Sequence, residues 1–517
     1  MICDLKPYPA IKDSGVPWLG DVPAHWLIRR IKTLFREKDE RSGDGRGVLM
    51  SLTRARGIVP QAEASERIAS AGDLSKYKVC RPGDLIMNRM QAWSGMFAVS
   101  PHEGLVSPDY SVFGPIDASD VKYFEHLFKT PVLVDQFAQR SKGIGSGFNR
   151  LYTPDFGSVP IVVPPLPEQA VIARFLDYMD RRIRKYIRAK QQLIKLLEEQ
   201  KQAIIHRTVT RGLDPNVRLK PSGVEWLGDV PEYWEVARLK RVSLIQGGYA
   251  FPADSFGDAG IPVVRMNNIR RGTLDFNQVV RIPEHQCKEA FVLKEGDIVY
   301  GLSGSIGAAG SLGNYAVVKS GDLPAQLNQR VARFQPNKNR IAEGFLLESL
   351  QTNEFYEQVL AHTTGTAQFN VSTNDIGNVA LALPSLDEQK QIVNHLKSAT
   401  ESIVTAVDRA RQEIVLLREY RTRLIADVVT GKLDVCEAAA PSASPGDSRG
   451  GSGWIGCRPP RTSPEKQSGE NGPEKGQKRI DFKKKEGLSY IRAPVLSPSP
   501  QEGYLLHHLK SKGDLHV

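Results

Sequence analysis

Residues 14–32 read SGVPWLGDVPAHWLIRRIK, and residues 222–240 read SGVEWLGDVPEYWEVARLK. Twelve of these nineteen positions are identical, among them Trp18/Trp226, Gly20/Gly228, Asp21/Asp229, Pro23/Pro231 and Trp26/Trp234. Chance does not produce such a match. Further along, LPEQAVIARFLDYMD starts at Leu166 and LDEQKQIVNHLKSAT at Leu386, and the two segments continue without a gap for about fifty residues. Glu168/Glu388, Gln169/Gln389, Val209/Val429, Leu213/Leu433 and Asp214/Asp434 match. The period is far beyond that of a solenoid repeat, so the chain is a domain duplication. Each copy is a globular domain followed by a long helix.

After Pro167, residues 168–208 contain no Gly or Pro and are rich in Leu, Ile, Lys, Arg, Glu and Gln. These are good helix formers. Pro167 and Glu168 suit a first helical turn, and Gly212 with Asp214–Pro215 ends it. Apolar residues fall at Met179, Ile183, Ile187, Ile194, Leu197 and Ile204, with Lys190 and Lys201 as polar breaks. In the second copy they fall at Ala399, Ile403, Val407, Ala410, Ile414, Leu417, Leu424 and Val428. Steps of three and four are the period of a coiled-coil seam. Roughly forty residues at about 1.5 Å each give a rod near 60 Å. Two such rods separated by a whole domain can pair antiparallel and hold the domains apart. The alternative is that each helix packs only on its own domain.

Between the paired segments the copies diverge: residues 35–160 and 241–383 share little identity, yet keep the same order of elements. GDLIMNRM (83–90), PDYSVFGPI (108–116), a helix near 121–141, the loop KGIGSGFNR (142–150) and VPIVVPPLP (159–167) make up the first. The second has IPVVRMNNI (261–269), GDIVYGL (296–302), NQRVARFQP (328–336), a helix around 343–361, the loop TTGTAQFNVST (363–373) and VALALPSL (379–386). Retained order with altered residues is expected of one fold with retuned loops. The fold class is mixed α/β, of α+β type. The expected layout is a globular domain at 1–165, a helix at 166–213, a second domain at 214–384 and a second helix at 385–435.

Several segments offer side chains suited to base edges, because Arg pairs guanine bidentately and Asn or Gln pairs adenine. In the first half these are Asn88, Arg89, Gln91, Lys142, Asn149 and Arg150. In the second they are Arg265, Asn267, Asn268, Arg270 and Arg271, then Gln326, Asn328, Gln329 and Arg330, then Thr366, Gln368 and Asn370. Neighbouring Lys and Arg would fix register on phosphates. Taken singly, Asn and Arg in loops are usually just solvated.

The formal net charge of +11 suits a polyanionic partner. The segment after Ala440 carries 13 Lys/Arg and 8 Asp/Glu, so it supplies +5 of that total. Residues 436–517 are rich in Pro, Ser, Gly and Lys and read as a disordered basic tail. Five scattered cysteines without CxxC spacing argue against a zinc site or a disulfide framework. They suit a reducing cytoplasm. No apolar run approaches the roughly 18–20 residues of a membrane helix, and the start MICDLKPYPA lacks a signal pattern. There is no GxxxxGK[ST], HExxH or GxSxG, nor the Asn/Asp-Pro-Pro-aromatic run expected for a target adenine. The glycine loop at Gly143, Gly145 and Gly147 follows a helix rather than a strand, so it is read as a turn or DNA-facing loop.

The organisation domain, helix, domain, helix resembles the specificity subunit of type I restriction–modification enzymes. SGVEWLGDVPEYWEVARLK, PPLPEQAVIARFLD, LPSLDEQKQIV, GDIVYGLSGSIG, LNQRVARFQP and VTGKLDV carry the resemblance, over about residues 10–436. It implies two target-recognition domains, each reading half of a bipartite, asymmetric site on double-stranded DNA. It implies paired helices that act as spacer ruler and as platform for two methyltransferase subunits. Those subunits would bring S-adenosylmethionine and methylate adenine. Motor subunits would bring ATP, Mg and DNA cleavage, so this chain would have no catalytic residue, metal or cofactor of its own. The tail departs from the family pattern. Rival readings are a standalone DNA-binding regulator, a single-chain enzyme, a structural scaffold and an inactive remnant.

Overall fold

The computed structural model describes residues 5–64, 73–143, 149–270, 272–306, 310–366 and 368–436. Arg271, the centre of the glycine loop at 144–148 and the tail from 437 onward lie outside the described residues.

The first domain is built on a four-stranded antiparallel sheet of β1 (Phe35–Lys38), β2 (Leu85–Asn88), β3 (Phe97–Val99) and β4 (Tyr110–Pro115), in the order β1-β4-β2-β3. The expected helix near 121–141 is two: α1 (Val121–Phe128) and α2 (Pro131–Arg140). Pro131 has no N–H to continue a helix and starts the second one instead. A long helix, α3, then spans Leu166–Arg211.

The second domain repeats this plan with different residues. Its sheet consists of β5 (Ser243–Gly247), β6 (Ile298–Gly301), β7 (Tyr315–Val317) and β8 (Val331–Pro336), in the order β5-β8-β6-β7. First, last, second, third is the same strand order. Here too one expected helix is two, α4 (Glu343–Leu350) and α5 (Asn353–Ala361). The break falls at Thr352, whose hydroxyl accepts from the Phe355 N–H at 3.2 Å and caps the new helix. The second long helix, α6, spans Leu386–Val429.

The long helices run antiparallel. Arg411 pairs with Glu198 at 2.7 Å, Lys190 with Glu413 at 2.6 Å, and Arg421 with Asp180. One partner number falls as the other rises, so the chains point opposite ways. At about 1.5 Å per residue, the 46 and 44 residues of α3 and α6 make rods near 69 and 66 Å. On α6 the buried residues step through Ile392, Leu396, Thr400, Ile403, Val407, Ala410, Ile414, Leu424 and Val428. On α3, Met179 and Ile183 are buried, while Ile187, Ile194, Leu197 and Ile204 are half-buried. The buried apolar residues of its last turns are Ile205 and Val209. Lys190 interrupts the seam, and Glu413 across it supplies the opposite charge.

Each domain is completed by both helices. The first domain's core joins Trp26, Phe97, Tyr123, Phe156 and the start of α3 (Ile172, Leu176, Met179) to the end of α6 (Leu424, Val428, Val429) and to Val435. The second domain's core joins Trp234, Tyr300, Phe334 and Phe345 to the start of α6 (Ile392, Leu396) and the end of α3 (Ile205, Val209). The Tyr123 hydroxyl donates to the Val429 carbonyl at 2.9 Å, and Asp434 N–H donates to the Lys6 carbonyl at 2.8 Å. Gly431 turns the chain there with φ 79°, and a Cβ on it would sit 2.3 Å from Pro23 Cδ.

The repeated residues are the joints of this frame. Trp26 Nε1 donates to Glu168 at 3.1 Å, and Trp234 Nε1 donates to Glu388 at 3.2 Å. Tyr8 and His25 also meet Glu168, and Tyr233 meets Glu388. Gln169 donates to the Pro164 carbonyl at 2.8 Å and accepts from Asp120 N–H, the N-cap of α1, at 3.0 Å. Gln389 does the same with Pro384 at 2.9 Å and with Ala342, the N-cap of α4, at 2.7 Å. One buried amide thus ties the first turn of each long helix to its domain.

Candidate nucleic-acid interface

In each domain part of the candidate set lies at one end of the four-stranded sheet, where β2 or β6 finishes and β4 or β8 begins: Asn88, Arg89 and Arg150 in the first, Asn328, Gln329, Arg330 and Asn370 in the second. Register makes the two ends equivalent: Asn88 pairs with Tyr110, and Gly301 pairs with Val331. The next residue of each strand also matches, since Arg89 O accepts from Leu151 N–H at 2.9 Å and Leu302 O accepts from Val371 N–H at 3.0 Å. Asp109 and Arg330 therefore occupy equivalent places, as do Arg89 and Leu302.

In the first domain this end is tied up in its own bonds. Arg89 donates to the carbonyls of Asp109 and Pro108, both at 2.9 Å. Arg150 pairs with Asp109 at 2.9 Å, and Lys142 with Asp155 at 3.0 Å. Asn88 donates to Gln91 at 3.2 Å and accepts from Met90 N–H. Gln91 and Asn149 are exposed, and Asn149 lies opposite Gly143 in a short hairpin. Trp93, which composition did not single out, is exposed beside them, its Nε1 on the Met90 carbonyl. Arg89 is thus a clamp on the 108–109 turn rather than a free donor.

In the second domain three expected base-contacting residues are buried instead. Asn268 accepts from Arg265 N–H at 3.0 Å and donates to the Asp275 carbonyl at 3.1 Å. Gln326 accepts from Lys288 N–H at 3.1 Å. Asn328 is buried where Gly248 passes so close that a Cβ there would meet its carbonyl oxygen at 2.1 Å. Asn268 and Gln326 serve backbone groups in the interior, the ordinary fate of a buried amide. Asn370 is half-buried, accepts from Ser303 at 2.7 Å and donates to the Gln368 carbonyl. Arg270 is exposed and 3.4 Å from Asp275. Asn267, Gln329, Arg330, Thr366 and Gln368 are exposed, and Arg265 is half-buried. The parallel pairing of Val264 with Leu327 sets Arg265 alongside Asn328.

A cleft of about 570 Å³ lies where the hairpin of Met50–Thr53 and Gly57–Pro60 meets both long helices. Arg54, Arg56, Lys122, Lys129, Arg181, Arg184 and Arg421 line it, against Glu125, Asp177 and Asp180. Burial pushes the Glu125 carboxyl up. The ammonium groups of Lys129 and Lys122, at 2.7 and 2.8 Å, outweigh that and hold it at about 2. Among the described residues no group of three or more His, Cys, Asp or Glu could hold a metal ion, and no helix is long and apolar enough to cross a membrane.

Residues 78–196 and 231–414 match the family described as type I restriction modification DNA specificity domain. The chain is 30% identical over 312 residues to the type I restriction enzyme MjaVIII specificity subunit of Methanocaldococcus jannaschii, an alignment covering 60% of this chain and 70% of that one. It is 27% identical over 268 residues to the type I restriction enzyme EcoAI specificity subunit of Escherichia coli, covering 51% and 43%. Among solved structures, a chain from work on complex assembly and conformational transition of the type I R-M system shares the fold. Its TM-score is 0.57 at 17% identity, over 80% of this chain and 99% of that one. A duplicated mixed fold, two equivalent sheet ends and a pair of long antiparallel helices accompany these matches: the chain belongs to the type I restriction modification DNA specificity family.

Proposed function

We propose that this chain is the non-catalytic specificity subunit of a type I restriction–modification complex and reads a bipartite, asymmetric site on double-stranded DNA. Residues 1–165 and 214–384 are its two target-recognition domains, 166–213 and 385–435 its spacer helices, and 436–517 an appended basic tail. The observation that supports this most is the pairing of like frame with unlike ends. Two sheets of one topology present different side chains at the same place, while the repeated Trp, Glu and Gln residues hold both to one helix pair. Readers on a rigid separator suit two half-sites about one helical turn apart.

The partners in this reading are two methyltransferase subunits using S-adenosylmethionine and restriction subunits using ATP and Mg, in the cytoplasm. Tyr186, Leu193, Leu196 and Leu416 are exposed apolar residues on the middle of the rods and suit a protein partner there. The test is methylome sequencing of a methylation-free host expressing the chain with its modification subunit. A split motif with N6-methyladenine in each half is expected, and exchange of residues 241–383 for those of a relative should change one half only. A continuous motif, or a change in both halves, would overturn the two-reader assignment. Absence of methylation from a soluble co-purified complex favours the regulator or remnant reading, and repeating the experiment with the chain cut after Cys436, which keeps the buried Val435, isolates the tail's effect.

A further inference from the structure

The two sheet ends differ in what their guanidinium groups are doing. In the first domain Arg89 is bound to two carbonyls and Arg150 to Asp109. In the second, Arg330 stands where Asp109 stands in the first, exposed and with no side-chain hydrogen bond or ion pair among the described residues. Its backbone is fixed on both sides: Arg330 O accepts from Leu302 N–H at 3.0 Å, and Gln329 N–H donates to Tyr249 O at 2.9 Å. A free guanidinium on an anchored strand end is pre-positioned for a ligand.

A second observation points the same way. Arg265 sits at the same end, its guanidinium 5.9 Å from the centre of the Phe256 ring, and its Nε is buried without a partner. Half-buried and set against that ring, the Arg265 side chain is held in place beside the strand end that carries Arg330. Resting on the DNA-reading function proposed above, we infer that Arg330 and Arg265 are guanine-reading side chains of the second domain. The chemistry is the fork of two N–H donors matched to guanine O6 and N7 in the major groove.

The experiment is methylome sequencing of the full chain with its modification subunit, as wild type, Arg330→Ala, Arg330→Lys and Arg265→Ala. The half-site of the second domain is assigned by the 241–383 exchange. A guanine is expected in that half of the wild-type motif. Arg330→Ala should relax that one base, with discrimination falling about tenfold to a hundredfold, and should leave the other half unchanged. Because Arg330 is exposed, its removal does not open the core, and Arg330→Lys retains the charge while losing the fork. A phosphate contact would instead lower methylation evenly with the motif unchanged. That result, or a second half-site without guanine, overturns the inference and leaves the two-reader function standing. A wild-type complex that methylates no split motif overturns the function and the inference together.

Discussion

Glu168 and Glu388 occupy the same place in the two copies but carry different burdens, and replacing each with Ala should expose the difference. Glu168 is buried and accepts from Tyr8, from Trp26 at 3.1 Å and from His25 at 2.8 Å. Trp26 is 0% and Tyr8 7% exposed, so both donors would be stranded in the core. Each stranded buried donor costs about 1–3 kcal/mol. Glu168→Ala should therefore destabilise the first domain by roughly 4 kcal/mol. Glu388 is half-buried and has two donors, but Tyr233 is 65% exposed and returns to water. Only Trp234 is stranded, so Glu388→Ala should cost about 2 kcal/mol. Native-state hydrogen exchange, followed in peptides covering 20–35 and 228–243, reads each domain's opening free energy separately. Equal losses in the two variants, or a larger one at Glu388, would refute the account in which stranded donors set the cost.

Two further outcomes follow from the geometry. Glu125 has a carboxyl held at about 2, below its ordinary 4.5. A depressed folded value means stability that is present above about pH 4.5 and lost as pH falls toward 2. Glu125→Gln should be less stable than wild type at pH 7 by about 3 kcal/mol, and the gap should close at pH 2 in urea titrations. Ile403→Asp with Val407→Asp puts two charges into the buried helix seam. At least about 4 kcal/mol should be lost there, and spin labels at positions 195 and 408 should show a broadened, longer distance, whereas an unchanged distance would argue against a seam at these residues.

The frame was legible in the sequence because duplication prints it twice. Trp26/Trp234 and Glu168/Glu388 repeat because they bond to each other, a relation that spacing alone could not reveal. The stepping of Ile403, Val407, Ala410 and Ile414 was readable because a buried stripe must follow the helix period. What was not legible is which amides face solvent. Asn268 and Gln326 have the composition of base readers, yet their side chains satisfy backbone groups in the interior. Nothing in residue type separates an amide bonding a strand from one awaiting a base. Arg89 and Arg330 pose the same problem, and only the presence or absence of neighbouring carbonyls divides them. The single helices expected near 121–141 and 343–361 are each two, since periodicity does not register a break that preserves the buried face.

The end of α6 lies in the core of the first domain, which has a consequence for synthesis. When residues 1–165 leave the ribosome, the surface meant for Leu424, Val428, Val429 and Val435 has nothing to cover it. Around 260 residues must be added before that surface is covered, whereas the second domain already has Ile205 and Val209 of α3 and waits only for the start of α6. The half made first is therefore finished last, and exposed apolar surface on a waiting domain favours misassembly. Chains released between Leu396 and Leu424 would carry a settled second domain and an unsettled first one, so the damage of such a truncation would appear at the opposite end of the polypeptide from the cut.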